Sequence, residues 1–292
     1  MELTAPHVGE GDIAAFAGRS RAVDRSTLEG LHYLGNYVRD LPVNLARMIE
    51  NAYDWEHLPF VHPSSFAAIA PVDSGNWGWR CKTALPNEGG EQLIELLVDA
   101  PGHYWATTVV DGPGRGTQIH TQAAARDEGG ITVDVRFYAP QAPESPAQAA
   151  MILAYLQAQY ATLYDEDQAL MTGRQAALDE RRTLRTGDAA AQADLGLEAD
   201  LDRARVYDAL LGERRALVRF HGDRWIAHSA RCPHALGPLE GVEPDAGGRI
   251  TCPWHGYRFD LATGAEQHGR CGALALLDTS LRDGHLIVLS SA

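Results

Sequence analysis

Two textures divide the chain. Between Trp77 and Tyr138, short runs rich in apolar and β-branched residues alternate with turn formers. Trp77–Leu85, Gln92–Val98, His103–Val110, Thr117–Ala124 and Ile131–Tyr138 each have strand length. Pro86-Asn87-Glu88-Gly89-Gly90, Pro101-Gly102, Asp111-Gly112-Pro113-Gly114 and Gly129-Gly130 separate them, which predicts an antiparallel meander. Helical spacing takes over from Pro146 to Arg182. There Leu153, Leu156, Tyr160, Leu163, Asp167 and Leu170 follow steps of three and four and mark a buried face. Upstream, Leu45, Met48, Ile49 and Ala52 repeat at helical spacing behind Leu41-Pro42, where proline suits a first helical turn. His32–Val38 reads as a short strand. Residues 186–204 are mostly small and polar and read as a linker. Ala216–Phe220 and Trp225–His228 then read as a hairpin. The pattern predicts an α+β chain with a sheet-and-helix domain over residues 1–185 and a strand-rich domain over 205–292.

Composition narrows the partners. The 292 residues are 45% hydrophobic and 22% charged, with a formal net charge of −14. Such acidity argues against nucleic acid and anionic membranes as partners. No apolar run approaches the roughly 20 residues that span a bilayer, and the N-terminus lacks a basic-then-apolar signal. Four cysteines are too few for a disulfide scaffold at this length, so a reduced, cytoplasmic, soluble protein is expected.

One apolar stretch carries four polar groups: Asn51, Asp54, His57 and His62. On a continuous helix the first three would share one side, at i, i+3 and i+6. Pro59 would end that helix and return His62 toward His57. Two histidines and one carboxylate hold iron in non-haem oxygenases. Asp167 occupies an apolar slot of the long helix, where a carboxylate is costly unless paired or metal-bound. It is the candidate third ligand, with Asp165 the runner-up. His103 and His120 read as structural residues inside strands.

The second constellation is more specific. Cys232-Pro233-His234 is followed after 17 residues by Cys252-Pro253-Trp254-His255-Gly256. Each loop offers one thiolate and one imidazole, the inventory of a 2Fe–2S centre with mixed ligation. A Cys2His2 zinc site is the competing reading, although zinc motifs usually pair like with like. Cys81 and Cys271 belong to no motif and are expected to be ordinary buried thiols.

These two loops, with Tyr257-Arg258-Phe259-Asp260 behind them, resemble a Rieske domain over about residues 205–292. Gly237 and Trp254 stand where high-potential Rieske proteins carry an extra disulfide, and Tyr257 replaces a serine donor. The resemblance therefore implies a potential near the low end of the range, about −150 mV. A Rieske cluster joined to a two-histidine, one-carboxylate site resembles the catalytic subunit of Rieske non-haem iron oxygenases. That family has a START-like helix-grip catalytic domain and an Asn-x-x-Asp-x-x-His-x4-His motif, matched by Asn51, Asp54, His57 and His62. Its third ligand is the aspartate of a Glu-Asp pair, matched by Glu166-Asp167. The spacing is closest to the monooxygenase and demethylase branch.

The resemblance implies cluster ligation by Cys232, His234, Cys252 and His255. It also implies Fe(II) held by His57, His62 and Asp167, with Asn51 beside the iron and Asp54 bridging a cluster histidine to His57. Hydroxylation or oxidative dealkylation of a small aromatic or apolar molecule would follow. A separate reductase, with or without a ferredoxin, would supply electrons, and a trimer is expected. Two features depart from the family: the catalytic part comes first, and it is short. This order allows electron transfer within or between subunits. The rival readings are a Rieske electron carrier fused to a ligand-binding helix-grip domain, and a zinc-stabilised binding module.

Overall fold

The computed structural model describes residues 4–183, 192–212 and 214–289. The chain divides between Thr172 and Gly173 into two compact units.

The first unit is an antiparallel sheet and a long helix. Its strands are β1 (His32–Leu41), β2 (Ala68–Gly75), β3 (Gly78–Ala84), β4 (Glu91–Asp99), β5 (Tyr104–Asp111), β6 (Gln118–Ala125) and β7 (Ile131–Ala139). They lie in the order β1-β7-β6-β5-β4-β3-β2, so β2 to β7 form a meander and β1 closes onto its last strand. All five predicted strands are present. The sequence reading missed β2, which pairs with β3 around a turn at Asn76-Trp77. It also stopped β1 three residues early, and His103 falls just before β5, in a turn with φ 49°.

Alternation gives the sheet two different faces. Trp79, Leu96 and Thr107 are cross-strand neighbours on one face. On the other, Arg80 and Glu95 form a buried ion pair at 2.6 Å. Arg19 adds a second guanidinium to Glu95 at 2.8 Å, and Arg80 donates to the Ser20 carbonyl at 2.8 Å. Lys82 likewise donates to the His7 carbonyl. The segment around helix α1 (Glu10–Ala15) is thereby fastened across the outer face of the sheet.

Three helices follow α1. Helix α2 (Leu45–Tyr53) starts at Asn44, whose side chain accepts from the Arg47 N–H. Pro42 therefore precedes the helix rather than opening it. Helix α2 also ends earlier than its periodicity suggests. Asp54 lies outside it and accepts from the Glu56 N–H at 3.2 Å, a local bond that competes with helical continuation. The expected single face of Asn51, Asp54 and His57 is therefore broken. A one-turn helix, α3 (Leu58–Val61), follows with Pro59 tolerated in its first turn. Helix α4 (Pro146–Thr183) packs on the sheet, with Tyr160 against Phe137 at 5.2 Å and the Arg39 guanidinium on the Ala161 carbonyl at 3.1 Å.

The second unit is built on six strands: β8 (Gln192–Leu197), β9 (Tyr207–Leu211), β10 (Arg214–His221), β11 (Arg224–Ser229), β14 (Leu276–Arg282) and β15 (His285–Leu289). Their order is β8-β15-β14-β11-β10-β9. The β10–β11 hairpin turns on Gly222 and Asp223, both at positive φ, as a tight two-residue turn requires. A small hairpin, β12 (Arg249–Thr251) and β13 (Arg258–Asp260), interrupts the order between β11 and β14. The main core gathers Ala209, Leu211, Ala216, Val218, Trp225, Ala227, Leu286 and Val288. Strand β8 falls inside the stretch read as linker. It alternates small and apolar residues, and pairing with β15 supplies order that its composition does not advertise. Residues 186–191 of that stretch lie outside the described residues.

Candidate metal centres

His57 caps the N-terminus of α3 and His62 its C-terminus. One helical turn between them brings the two imidazoles to 5.2 Å between ring centroids. Asp167 of α4 completes the group. Its Oδ1 lies 3.0 Å from His62 Nε2 and 3.4 Å from His57 Nε2. One ligand atom from each of the three lies within 4.8 Å of the others, and all three residues are buried. Outer groups fix both rings. The His62 Nδ1–H donates to Glu166 Oε2 at 2.7 Å, and His57 Nδ1 faces Asp54 Oδ2 at 3.5 Å. Both Nε2 atoms therefore turn toward the same point, as ligation of one ion requires.

Buried acid and imidazole groups shift one another strongly here. Burial alone would push the His57 imidazole down. Hydrogen bonds and charge from Asp167, then Asp54, outweigh burial and raise it to about 10. Burial pushes the Asp167 carboxyl up, yet the two imidazoles hold it well below the usual carboxylate range. Three convergent N and O donors in a 2-His-1-carboxylate set fit a divalent first-row metal, ferrous iron above all.

Asn51, on α2, is buried beside this group, and no hydrogen bond reaches its Oδ1 among the described residues. Asp165 points away to pair with Arg39 at 2.6 Å and is exposed. That removes the runner-up ligand. His120 is buried, hydrogen-bonded to the Tyr104 hydroxyl at 2.6 Å and to Gln118 at 2.9 Å. Burial and nearby Arg25 and Arg136 lower its imidazole to about 4.

The second centre lies on two loops that repeat one another. Loop 232–237 closes by Cys232 N–H to Gly237 O at 2.9 Å, and by Leu236 N–H back to Cys232 O at 3.0 Å. Loop 252–257 closes the same way, Cys252 to Tyr257 and Gly256 to Cys252. Leu236 and Gly256 occupy equivalent positions and both take positive φ, 61° and 66°. The loops bring the His234 and His255 rings to 4.7 Å at 90°, with Tyr257 stacked on His234 at 4.2 Å. Both cysteines are buried. Their sulfurs share a hydrogen bond that raises the Cys232 thiol and lowers that of Cys252. The N–H groups of His234 and Ala235 donate to the Cys232 sulfur, and those of Trp254 and His255 to the Cys252 sulfur. Such amides stabilise thiolates ligating iron. Ligands of one zinc at 2.0–2.3 Å would sit within about 4 Å of one another. Among the described residues only His57, His62 and Asp167 bring three such ligand atoms within 4.8 Å of one another. The two loops thus fit a two-iron cluster better than one zinc ion.

Residues 192–275 match the family model of the Rieske [2Fe-2S] domain. The second unit contains a Rieske domain. It gives the chain an electron-transfer module. A human Rieske domain-containing protein is 37% identical over 73 residues, 24% of this chain and 46% of its own length. The chain thus matches about half of that relative. Among solved structures, the ferredoxin of carbazole 1,9a-dioxygenase from Nocardioides aromaticivorans IC177 is 23% identical. It covers 34% of this chain and 99% of its own, with a TM-score of 0.30. Ara h 8.0201 is 16% identical and covers 49% of this chain and 99% of its own, with a TM-score of 0.38. The terminal oxygenase of carbazole 1,9a-dioxygenase from Novosphingobium sp. KA1 is 20% identical. It covers 35% of this chain and 30% of its own, with a TM-score of 0.31.

The Rieske match begins at β8, thirteen residues before the domain start read from the sequence, 192 against 205. A Cβ on Gly237 would come within 2.9 Å of Cys252 Sγ and 3.1 Å of the Trp254 ring. The indole therefore fills the space where a second cysteine pair would stand in high-potential relatives. Cys81 is buried as expected, but Cys271 is only half-buried, in the loop before β14. Sequence reading gave no role to the Glu166 carboxylate on His62. Only its place next to Asp167 signalled it. No described helix is long and apolar enough to cross a membrane.

Proposed function

We propose that the chain is the terminal oxygenase component of a multicomponent system acting on a small organic substrate. The observation that carries this reading is the convergence of His57, His62 and Asp167 on one buried point of a cavity, in a chain that also holds a Rieske domain. His57, His62 and Asp167 hold Fe(II), which supplies dioxygen activation, while Cys232, His234, Cys252 and His255 hold the 2Fe–2S cluster that supplies single electrons. The protein's own groups do the rest. Glu166 and Asp54 fix the imidazole tautomers so that each ring presents Nε2. The Asp54 side chain remains 24% exposed, so it joins the iron side to the surface where an electron and a proton arrive. Trp79, Trp105 and Leu96 line the cavity and exclude water from substrate. The product is a hydroxylated substrate, or a dealkylated one where the hydroxylated carbon bears oxygen or nitrogen. A separate reductase, with or without a ferredoxin, delivers the electrons, and the working assembly is a homotrimer.

Iron and zinc per chain, with EPR of the dithionite-reduced protein, test this reading. About three irons with a Rieske signal are expected. About two irons with the same signal, unrestored by added Fe(II), would leave an electron carrier fused to a ligand-binding domain.

A further inference from the structure

The cavity beside the iron triad has a volume of about 130 Å³. That is close to the roughly 150 Å³ engineered cavity that admits benzene, and well below the roughly 300–1,000 Å³ of drug-sized sites. No lysine or arginine lines it. Its two carboxylates, Asp54 and Asp167, already balance the two positive charges of ferrous iron. A charged ligand would enter a buried site without a counter-charge, which is costly.

Thr107, Trp105, Asn51 and Tyr160 are among the polar side chains that line the space. Asn51 is 8% exposed, and its Oδ1 has no hydrogen-bond partner among the described residues. Tyr160 lines the same cavity, and no hydrogen bond to its hydroxyl is present among the described residues. By contrast, Trp79 Nε1 is committed to the Ala52 carbonyl at 3.0 Å, and the Tyr164 hydroxyl bonds with Thr121. The Asn51 oxygen accepts and the Tyr160 hydroxyl can donate. A ligand hydroxyl has the donor that Asn51 lacks and the acceptor that Tyr160 lacks, whereas a carbonyl or ether oxygen offers only the acceptor.

We propose that this cavity selects an uncharged molecule about one six-membered ring in size, carrying one oxygen function read by Asn51 and Tyr160. The proposal rests on the oxygenase reading for its chemistry but not for its binding selectivity. Calorimetric titration of the metal-loaded protein, anaerobic and without reductant, measures that selectivity directly. The probes are phenol, toluene, benzoate, benzylammonium and 2-naphthol. Phenol is expected to bind at least about tenfold more tightly than each charged probe and than the two-ring 2-naphthol.

Tyr160→Phe should reduce phenol's advantage over toluene by about tenfold, the weight of one buried hydrogen bond. Thr107→Trp, which fills the cavity from β5, should abolish phenol binding. Tyr160→Phe keeps the test decisive if the larger side chain prevents folding. Benzoate, benzylammonium or 2-naphthol binding as tightly as phenol would overturn the proposal. So would phenol binding unchanged in folded Thr107→Trp. Selective phenol binding without oxygen uptake in the presence of a reductase would sink the oxygenase reading alone. Oxygen-coupled turnover of benzoate or 2-naphthol would sink the selectivity alone.

Discussion

The two metal centres solve opposite problems. The candidate triad of His57, His62 and Asp167 draws its members from distant parts of the chain: His62 and Asp167 are 105 residues apart. Asp167 Oδ1 lies within ion-pair distance of both Nε2 atoms, which ties the three side chains to one another. The cluster site takes its candidate ligands from two short loops of like geometry, the second of them closing the β12–β13 hairpin. Its two sulfurs lie within hydrogen-bond reach of each other. The first site is made by the tertiary fold, the second by local backbone that closes each loop on itself.

The sharpest break between them comes from ligand removal. Cys252→Ser should abolish the Rieske EPR signal and leave one iron per chain at the triad. His57→Ala should do the reverse, keeping the cluster spectrum and losing the third iron. Loss of both metals from either variant would mean that the sites are not independent.

Next in size is Asp54→Asn. It keeps the hydrogen-bonding shape beside His57 but removes the charge. Both metals should stay bound while turnover falls about 10- to 100-fold or more, the range for an outer carboxylate on a metal-bound histidine. Unchanged turnover would deny Asp54 its role as the entry for electrons and protons.

A smaller effect is expected at Gly237. An alanine methyl there would press on Cys252 Sγ and the Trp254 ring, so Gly237→Ala should destabilise the Rieske unit by about 1–3 kcal/mol. Denaturation followed at the cluster absorbance would detect it, and the first unit should be unaffected.

Two pH trends of opposite sign sharpen the comparison further. In metal-free protein His57 is raised above its unfolded value of 6.5, to about 10. Its contribution is complete below pH 6.5 and fades as pH rises toward 10. Iron should erase that trend, because a ligated imidazole carries no proton on Nε2. In the Rieske unit, burial lowers His228 to about 4. Its neutral form favours the fold above pH 6.5, and that stability is lost as pH falls toward 4. Thermal melts of metal-free and loaded protein across pH 4–10 would show both trends. A metal-free alkaline limb as flat as the loaded one would contradict the His57 ion network.

Legibility followed the same division. The two Rieske loops could be read directly, because Cys-x-His and Cys-x-x-His carry their chemistry within a few residues. The five meander strands and the long helix were equally plain from periodicity and turns. Asp167 was legible as a carboxylate in an apolar slot. What escaped depended on pairing at long range or on local competition. Strand β2 contains Pro71 and fades into Asp73-Ser74-Gly75, and only its partner β3 makes it a strand. Strand β8 looks like linker until β15 pairs with it. The break after Tyr53 hides because Asp54 ends α2 through its side chain, not through a glycine or proline. The outer-face network of Arg19, Arg80 and Glu95 left no trace in any window, since its members lie up to 76 residues apart.

Strand β1 pairs with β7, about a hundred residues later in the chain. During synthesis the two histidine ligands therefore leave the ribosome long before the helix that carries Asp167. The sheet cannot close until β7 has emerged, and contacts of such separation form slowly. A metal held by this triad would therefore be captured only after the whole first unit is complete. A cluster held by the loops at 232–257 would need only their own unit. On the proposed reading, maturation of the chain would keep two clocks, one set by topology and one by cofactor supply.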